Sequence, residues 1–193
     1  MSWEEYDKKL ESYGVSQKGR ELLRKAFLFA SRIHEGEKRL SGEDYITHPI
    51  AVSLKLAELK MDVPTIAAGL LHDAVEREPE ALKKIKKEFG EEVAFLVDSV
   101  TKIRKIHARG ADRTLESFKK MFFAIAEDIR VVVIKLMDRT HNMETLAWIP
   151  KEKQERIAQE TMTLYASIAE RLGMWNVKAE LEDLSMKYLY PEE

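Results

Sequence analysis

A histidine followed by an aspartate, His72-Asp73, ends the apolar run Ala67-Ala68-Gly69-Leu70-Leu71, and Glu76 follows within one helical turn. Residues three and four apart share a helix face, so His72, Asp73 and Glu76 gather at one end of a segment otherwise suited to burial. Polar groups there are costly unless something partners them. A bound divalent cation is one such partner; a chance His-Asp dipeptide is the plainer account. His48, just before Pro49, and Asp138, in Lys135-Leu136-Met137-Asp138-Arg139-Thr140-His141-Asn142, are of the same chemical kind. Two imidazoles with two carboxylates suit Mn²⁺, Fe²⁺ or Zn²⁺ better than Mg²⁺. Such a set leaves positions open for water and substrate, as hydrolytic metal chemistry requires. Ordinary readings stand beside these: His48 as a helix-start cap or surface residue, and Asp138-Arg139 as a surface ion pair. His34, His107 and His141 have no partner that spacing assigns, and structural roles are expected for the first two. Lys83, Lys84, Lys86 and Lys87 read as a solvated helix face, and Phe118, Phe122 and Phe123 as core.

The elements that must position these groups read as helices almost throughout. Ser16 is an N-cap for a helix through Leu22, Leu23, Ala26, Phe27 and Ala30, closing near Gly36. A polar loop, Glu37 to Thr47 with Gly42 in its middle, leads to Pro49 in the first turn of the next helix. Pro64 opens a helix expected from Thr65 to about Glu76 and buried on most sides. Pro79 to Phe89-Gly90 bounds a short Lys-rich helix, and Val93 to Ile106 carries the next stripe. A break or mobile loop is expected over Arg104 to Asp112, followed by Leu115, Phe118, Phe122 and Ile125. Val131-Val132-Val133-Ile134 favours a strand by β-branching. Leu136, Met137, Met143 and Leu146 extend the pattern past strand length without a turn signal, so helix is the better reading. Two more helices, about Lys153 to Leu172 and Val177 to Leu189, complete a single compact all-α domain over 1–193.

Composition narrows the function classes. The chain has 193 residues, and 32 Lys+Arg against 34 Asp+Glu leave a net charge of −2, which argues against wholesale nucleic-acid or anionic-membrane binding. The absence of cysteine removes disulfides, thiolate nucleophiles and Cys-ligated zinc. No apolar run approaches the roughly 18 residues of a membrane span. Acid in Met1-Ser2-Trp3-Glu4-Glu5 replaces the base of a signal peptide, so a soluble, cytoplasmic protein is expected. Trp3, Trp148 or Trp175 would be candidates for an oligomer interface.

Several segments together resemble one family. They are Ser41-Gly42-Glu43-Asp44-Tyr45-Ile46-Thr47-His48-Pro49, Leu70-Leu71-His72-Asp73-Ala74-Val75-Glu76, Val100-Thr101-Lys102-Ile103 and Asp128-Ile129-Arg130. Ile134-Lys135-Leu136-Met137-Asp138-Arg139 with His141-Asn142-Met143, and Leu181-Glu182-Asp183-Leu184, continue the series. In order and spacing, from about Leu22 to Leu189, they resemble the HD-superfamily hydrolase domain of the RelA/SpoT enzymes, and the stand-alone small alarmone hydrolases. The resemblance implies an all-α bundle of about ten helices. It implies removal of the 3′-pyrophosphate from guanosine 3′,5′-bis(diphosphate) (ppGpp) or its pentaphosphate pppGpp, giving GDP or GTP. The implied metal ligands are His48, His72, Asp73 and Asp138, and the implied ion is Mn²⁺. Arg39, Asn142 and Thr145 are the implied substrate contacts, Lys102 a phosphate neighbour and Glu76 the residue that orients the attacking water or moves its proton. No segment resembling the family's synthetase or regulatory domains follows Pro191.

The chain departs from the family at Arg77, where a second acid is usual; lesser departures are Ser167 and Glu170. Arginine stays protonated and cannot act as a base. This charge reversal motivates an alternative, a catalytically weakened alarmone-binding or regulatory domain. A third reading keeps the hydrolysis and changes the nucleotide.

Overall fold

The computed structural model describes residues 1–104 and 111–191, with side chains at 1–103 and 119–191. Its elements are α1 (Trp3–Ser12), α2 (Gln17–Ile33), α3 (Thr47–Glu58), α4 (Val63–Leu71), α5 (Ala74–Arg77) and α6 (Ala81–Phe89). They continue with α7 (Glu91–Arg104), α8 (Ala111–Glu127), α9 (Ile129–Glu144), α10 (Lys151–Glu160), α11 (Ser167–Arg171) and α12 (Trp175–Leu189). A π-helical turn, Thr161–Ala166, joins α10 to α11, so these form the one long helix expected near Lys153–Leu172. The all-α expectation holds among the described residues, where Lys38 and Asp44 form an isolated β-bridge. No helix among them is long and apolar enough to cross a membrane.

Local chemistry sets the helix boundaries. Ser16 accepts from the Gly19 amide at 3.2 Å, and Asp62 accepts from Thr65 at 2.9 Å with Pro64 in the first turn. Asp128 caps α9 by accepting from the Arg130 amide at 2.9 Å. The β-branched run Val131–Ile134 is helical and fully inside, because the α9 contacts with α3, α4, α7, α8 and α12 outweigh its strand propensity. Helix α1 was not expected, although Ser2 and Glu5 form a capping box and Tyr6 and Leu10 are buried four apart.

Helix α4 is the hub, packed against α2, α3, α7 and α9, and its residues from Thr65 to Leu71 are all buried. Gly69 lets α3 pass close by: an added Cβ would clash with Leu56 Cδ1. This close approach brings the start of α3 and the end of α4 to the same depth beside α9.

Two expectations need correction. The helix from Pro64 does not run unbroken to Glu76 but divides at His72-Asp73, where the His72 ring takes the Gly69 carbonyl. Phe122 and Phe123 are not core: they are 46% and 76% exposed, and the Arg171 guanidinium lies over the Phe122 ring at 5.9 Å. Trp148 and Trp175 are likewise exposed, whereas Trp3 packs on Tyr6 and Phe27. Of the expected break at Arg104–Asp112, residues 105–110 lie outside the described residues, as do His107 and the side chains of Leu115 and Phe118; α8 begins at Ala111.

Candidate metal centre

Three helices and one helix break deliver the candidate ligands. His48 comes from the first turn of α3, His72 and Asp73 from the junction of α4 and α5, and Asp138 from the middle of α9. All are buried. His48 Nε2 lies 3.2 Å from Asp138 Oδ1 and 3.7 Å from Asp73 Oδ2, and His72 Nε2 lies 3.3 Å from Asp73 Oδ1 and 3.9 Å from Asp138 Oδ1. Donor atoms of His48, His72 and Asp138 all fall within 4.8 Å of one another. His48 is therefore neither a cap nor a surface residue.

The surroundings favour the ligand forms of these groups. Burial opposes the charge on Asp138, but the Lys135 ammonium, 2.5 Å from Oδ2, leads the interactions that hold its carboxyl well below the usual range. Asn142 Nδ2 donates to Asp138 Oδ1 at 2.6 Å, and the Tyr45 hydroxyl donates to Asp73 Oδ2 at 2.6 Å. Burial holds the His48 imidazole below its ordinary pKa against the pull of Asp138. Both carboxylates are thus oriented and burial biases the histidine toward its neutral form, as metal ligation needs.

One nitrogen tests whether a cation fits. His72 Nδ1 lies 2.7 Å from the Gly69 carbonyl, which can only accept, so Nδ1 carries the proton and Nε2 the lone pair in the neutral ring. That Nε2 is buried without a hydrogen-bond partner. A lone pair facing a carboxylate oxygen at 3.3 Å is repulsive unless a positive charge lies between them. The donor set fits a divalent cation.

Above the centre lies a cavity of about 490 Å³, lined by Arg39, Tyr45, His48, Lys135, Asp138, Asn142 and Thr145 among others. Arg39 reaches it from the loop after α2, where its amide donates to the Glu43 carbonyl at 2.8 Å and Gly42, at φ 86°, turns the chain. Its guanidinium donates to Thr145 Oγ1 at 2.8 Å and to His141 Nδ1 at 3.3 Å. Arg39, Asn142 and Thr145 thus line one cavity.

Glu76, Arg77 and Lys102 do not join them. All three are exposed, and the described lining residues of the cavity do not include them. Lys102 pairs with Asp98 at 2.7 Å on an exposed face of α7. Arg77 lies 4.0 Å from Glu37 Oε2, with its side chain 58% exposed. Asp138-Arg139 is not a surface pair either. Asp138 faces Lys135 and the histidines, while Arg139, half-buried, lies over the Tyr165 ring at 4.0 Å and bonds to Glu160 at 3.3 Å.

Sequence reasoning missed three contributors. His141 Nδ1 is 2.8 Å from His48 Nδ1, and burial and the neighbouring His48 push its pKa down to about 3. Lys135 was legible only as a residue three before Asp138 on one helix face. Tyr45 stacks on His34 at 4.8 Å, and His34 Nδ1 is 2.9 Å from Glu37 Oε2, which gives His34 its structural role.

An all-α frame thus buries two histidines and two aspartates from separate elements beside one cavity, a site of the metal-binding kind. Residues 26–175 match the HD domain family, and the chain belongs to it. It is 50% identical over 173 residues to a guanosine-3′,5′-bis(diphosphate) 3′-pyrophosphohydrolase of Aquifex aeolicus, covering 90% of this chain and 25% of that protein. It is 48% identical over 170 residues to the bifunctional (p)ppGpp synthase/hydrolase SpoT of Escherichia coli, covering 88% of this chain and 24% of that one. A GTP pyrophosphokinase of Myxococcus xanthus is 46% identical over 177 residues, covering 90% and 23%. The chain therefore spans about a quarter of the length of these curated relatives. A solved structure of a metazoan SpoT ortholog that hydrolyses ppGpp aligns with a TM-score of 0.63 at 23% identity. It covers 84% of this chain and 93% of that one, a likeness of fold.

Proposed function

We propose that this chain hydrolyses the 3′-diphosphate of ppGpp or pppGpp, with a divalent cation, Mn²⁺ by preference, held by His48, His72, Asp73 and Asp138. Zn²⁺ or Fe²⁺ would suit the same donors. The observation that carries the reading is the buried, unpartnered His72 Nε2 facing two carboxylates beneath a nucleotide-sized cavity. The names of the relatives supply the substrate.

When bound, the cation would act as a Lewis acid toward the diphosphate and lower the pKa of a coordinated water. The protein's own groups do the rest. Arg39 is placed to neutralise phosphate oxygens, and its fork geometry suits them. Asn142 and Thr145 hold the nucleotide along the end of α9. Water adds to the phosphorus borne by the ribose 3′ oxygen, that P–O bond breaks, the 3′ oxygen takes a proton and pyrophosphate leaves. Glu76, exposed one turn beyond Asp73 on α5, would have to turn toward the centre to handle the proton of the attacking water. Arg77 beside it cannot share that work.

Product analysis with ppGpp, pppGpp and a small nucleotide panel, with and without Mn²⁺, tests the proposal. GDP and pyrophosphate from ppGpp are expected, with equilibrium binding measured alongside. Tight binding of ppGpp without turnover would make this a binding domain instead. Faster turnover of an unrelated nucleotide would move the substrate class.

A further inference from the structure

We propose that His141 is a positioning residue of the metal centre, which fixes the tautomer of His48 so that Nε2 presents a lone pair to the cation. The inference rests on the metal-centre reading above.

The argument needs only donor and acceptor arithmetic. A guanidinium has hydrogens to donate and nothing to accept with. Arg39 NH1 is 3.3 Å from His141 Nδ1, so that nitrogen offers its lone pair. His48 Nδ1 lies 2.8 Å from the same nitrogen. Two lone pairs cannot face each other at that distance, so His48 Nδ1 must carry a hydrogen and donate it. A neutral imidazole protonated at Nδ1 has its lone pair at Nε2. His48 Nε2 is the atom that lies 3.2 Å from Asp138 Oδ1 and 3.7 Å from Asp73 Oδ2.

The acceptor is itself held in place. Arg39 NH2 donates to Thr145 Oγ1 at 2.8 Å, and the Thr145 hydroxyl donates to the His141 carbonyl at 3.1 Å. The guanidinium therefore grips the ring and the backbone turn that carries it. The chain Arg39, His141, His48 links the loop after α2, the end of α9 and the start of α3. His72 solves the same problem with a backbone carbonyl, that of Gly69. For His48 the tautomer depends on a side chain, and so a substitution can switch it off.

The full chain, ¹⁵N-labelled at histidine and stripped of metal, is examined by long-range ¹H–¹⁵N correlation at neutral pH. Zn²⁺ affinity is measured on the same samples by competition with a chelating dye. The parent should show His48 protonated at Nδ1. His141→Ala should move His48 to a mixture or to the Nε2–H form, with Zn²⁺ bound about 10–100-fold more weakly, the usual cost of losing a ligand's outer partner. His141→Asn places an acceptor oxygen where Nδ1 stood and should restore both tautomer and most of the affinity. His141→Phe keeps the ring volume without the acceptor and should behave like Ala. If the Ala variant does not fold, Phe against Asn decides. An unchanged His48 tautomer without the acceptor would overturn the inference, as would rescue by Phe but not Asn, which marks a packing role. A parent that binds no divalent cation overturns the centre itself and the inference with it. A parent that binds normally while its tautomer ignores residue 141 overturns the inference alone.

Discussion

His48, His72, Asp73 and Asp138 form a buried floor, of which His48 and Asp138 reach the cavity, and each has a hydrogen-bond partner, whereas Glu76, Arg77 and Lys102 form an exposed rim on α5 and α7. The family resemblance treats the two groups alike, as one site. Physically they differ. In the floor, low dielectric strengthens every pairing and makes an unpartnered group costly, so removing one member propagates to the others. On the rim, solvent screens the charges, and a pair such as Lys102 with Asp98 contributes little. On the proposed reading, the floor determines whether a cation is held and the rim adjusts turnover.

The largest effect should follow from Asp138→Asn, which removes the carboxylate shared by Lys135, Asn142 and both histidines. Turnover of ppGpp should fall by more than the roughly 100-fold that loss of an outer partner costs, with helical circular dichroism preserved. Parent-like turnover in metal-stripped Asp138→Asn protein would break the assignment of the floor.

Next comes Lys135→Met, which leaves Asp138 buried without its cation. Breaking one side of a buried pair costs about 3–5 kcal/mol, and added Mn²⁺ should restore part of it by compensating the same carboxylate. Denaturant unfolding with and without metal reads both. A loss below about 1 kcal/mol, the range of exposed pairs, would place the floor on the same footing as the rim.

The pH dependence is smaller per pH unit. His141 is held neutral down to about 3, while an unfolded histidine protonates near 6.5. The unfolded chain therefore binds the extra proton, and metal-free stability should be intact above pH about 6.5. It should be lost as pH falls toward 3, at up to about 1.4 kcal/mol per pH unit from this group. His141→Asn should flatten that slope in urea melts across the window; a slope identical to the parent would show that the histidine titrates freely.

The rim gives the smallest changes. Arg77→Asp should raise kcat with KM and stability nearly unchanged, because the side chain is mostly solvated and removal of the positive charge eases proton transfer at Glu76. An unchanged or lower kcat with saturating Mn²⁺ would make Arg77 a working part of the site. Lys102→Ala should leave KM for ppGpp as it is and alter stability by less than about 0.5 kcal/mol; a raised KM would bring α7 back into the substrate contacts.

The sequence by itself determined the helical frame and the identity of the floor groups. Periodic apolar positions, the Ser16 cap, Pro64 and the Gly90 stop are local signals, and they placed most of the helices, including the β-branched start of α9. Local signals at α1 were present as well, in the Ser2–Glu5 box and the Tyr6–Leu10 pair, and went unread. The family's motifs singled out His48, His72, Asp73 and Asp138 without showing how deep they lie. Only the tertiary structure decided which chemical neighbours each of them has. The His48–His141 contact spans 93 residues, and Arg39 reaches His141 across 102. No periodicity reports such a pairing, because it arises from α3, α9 and the loop after α2 packing at one point. The same holds for the exposure of Phe122, Phe123 and Lys102: spacing says that a residue faces one side of its helix, and the neighbouring helices decide whether that side is core or water.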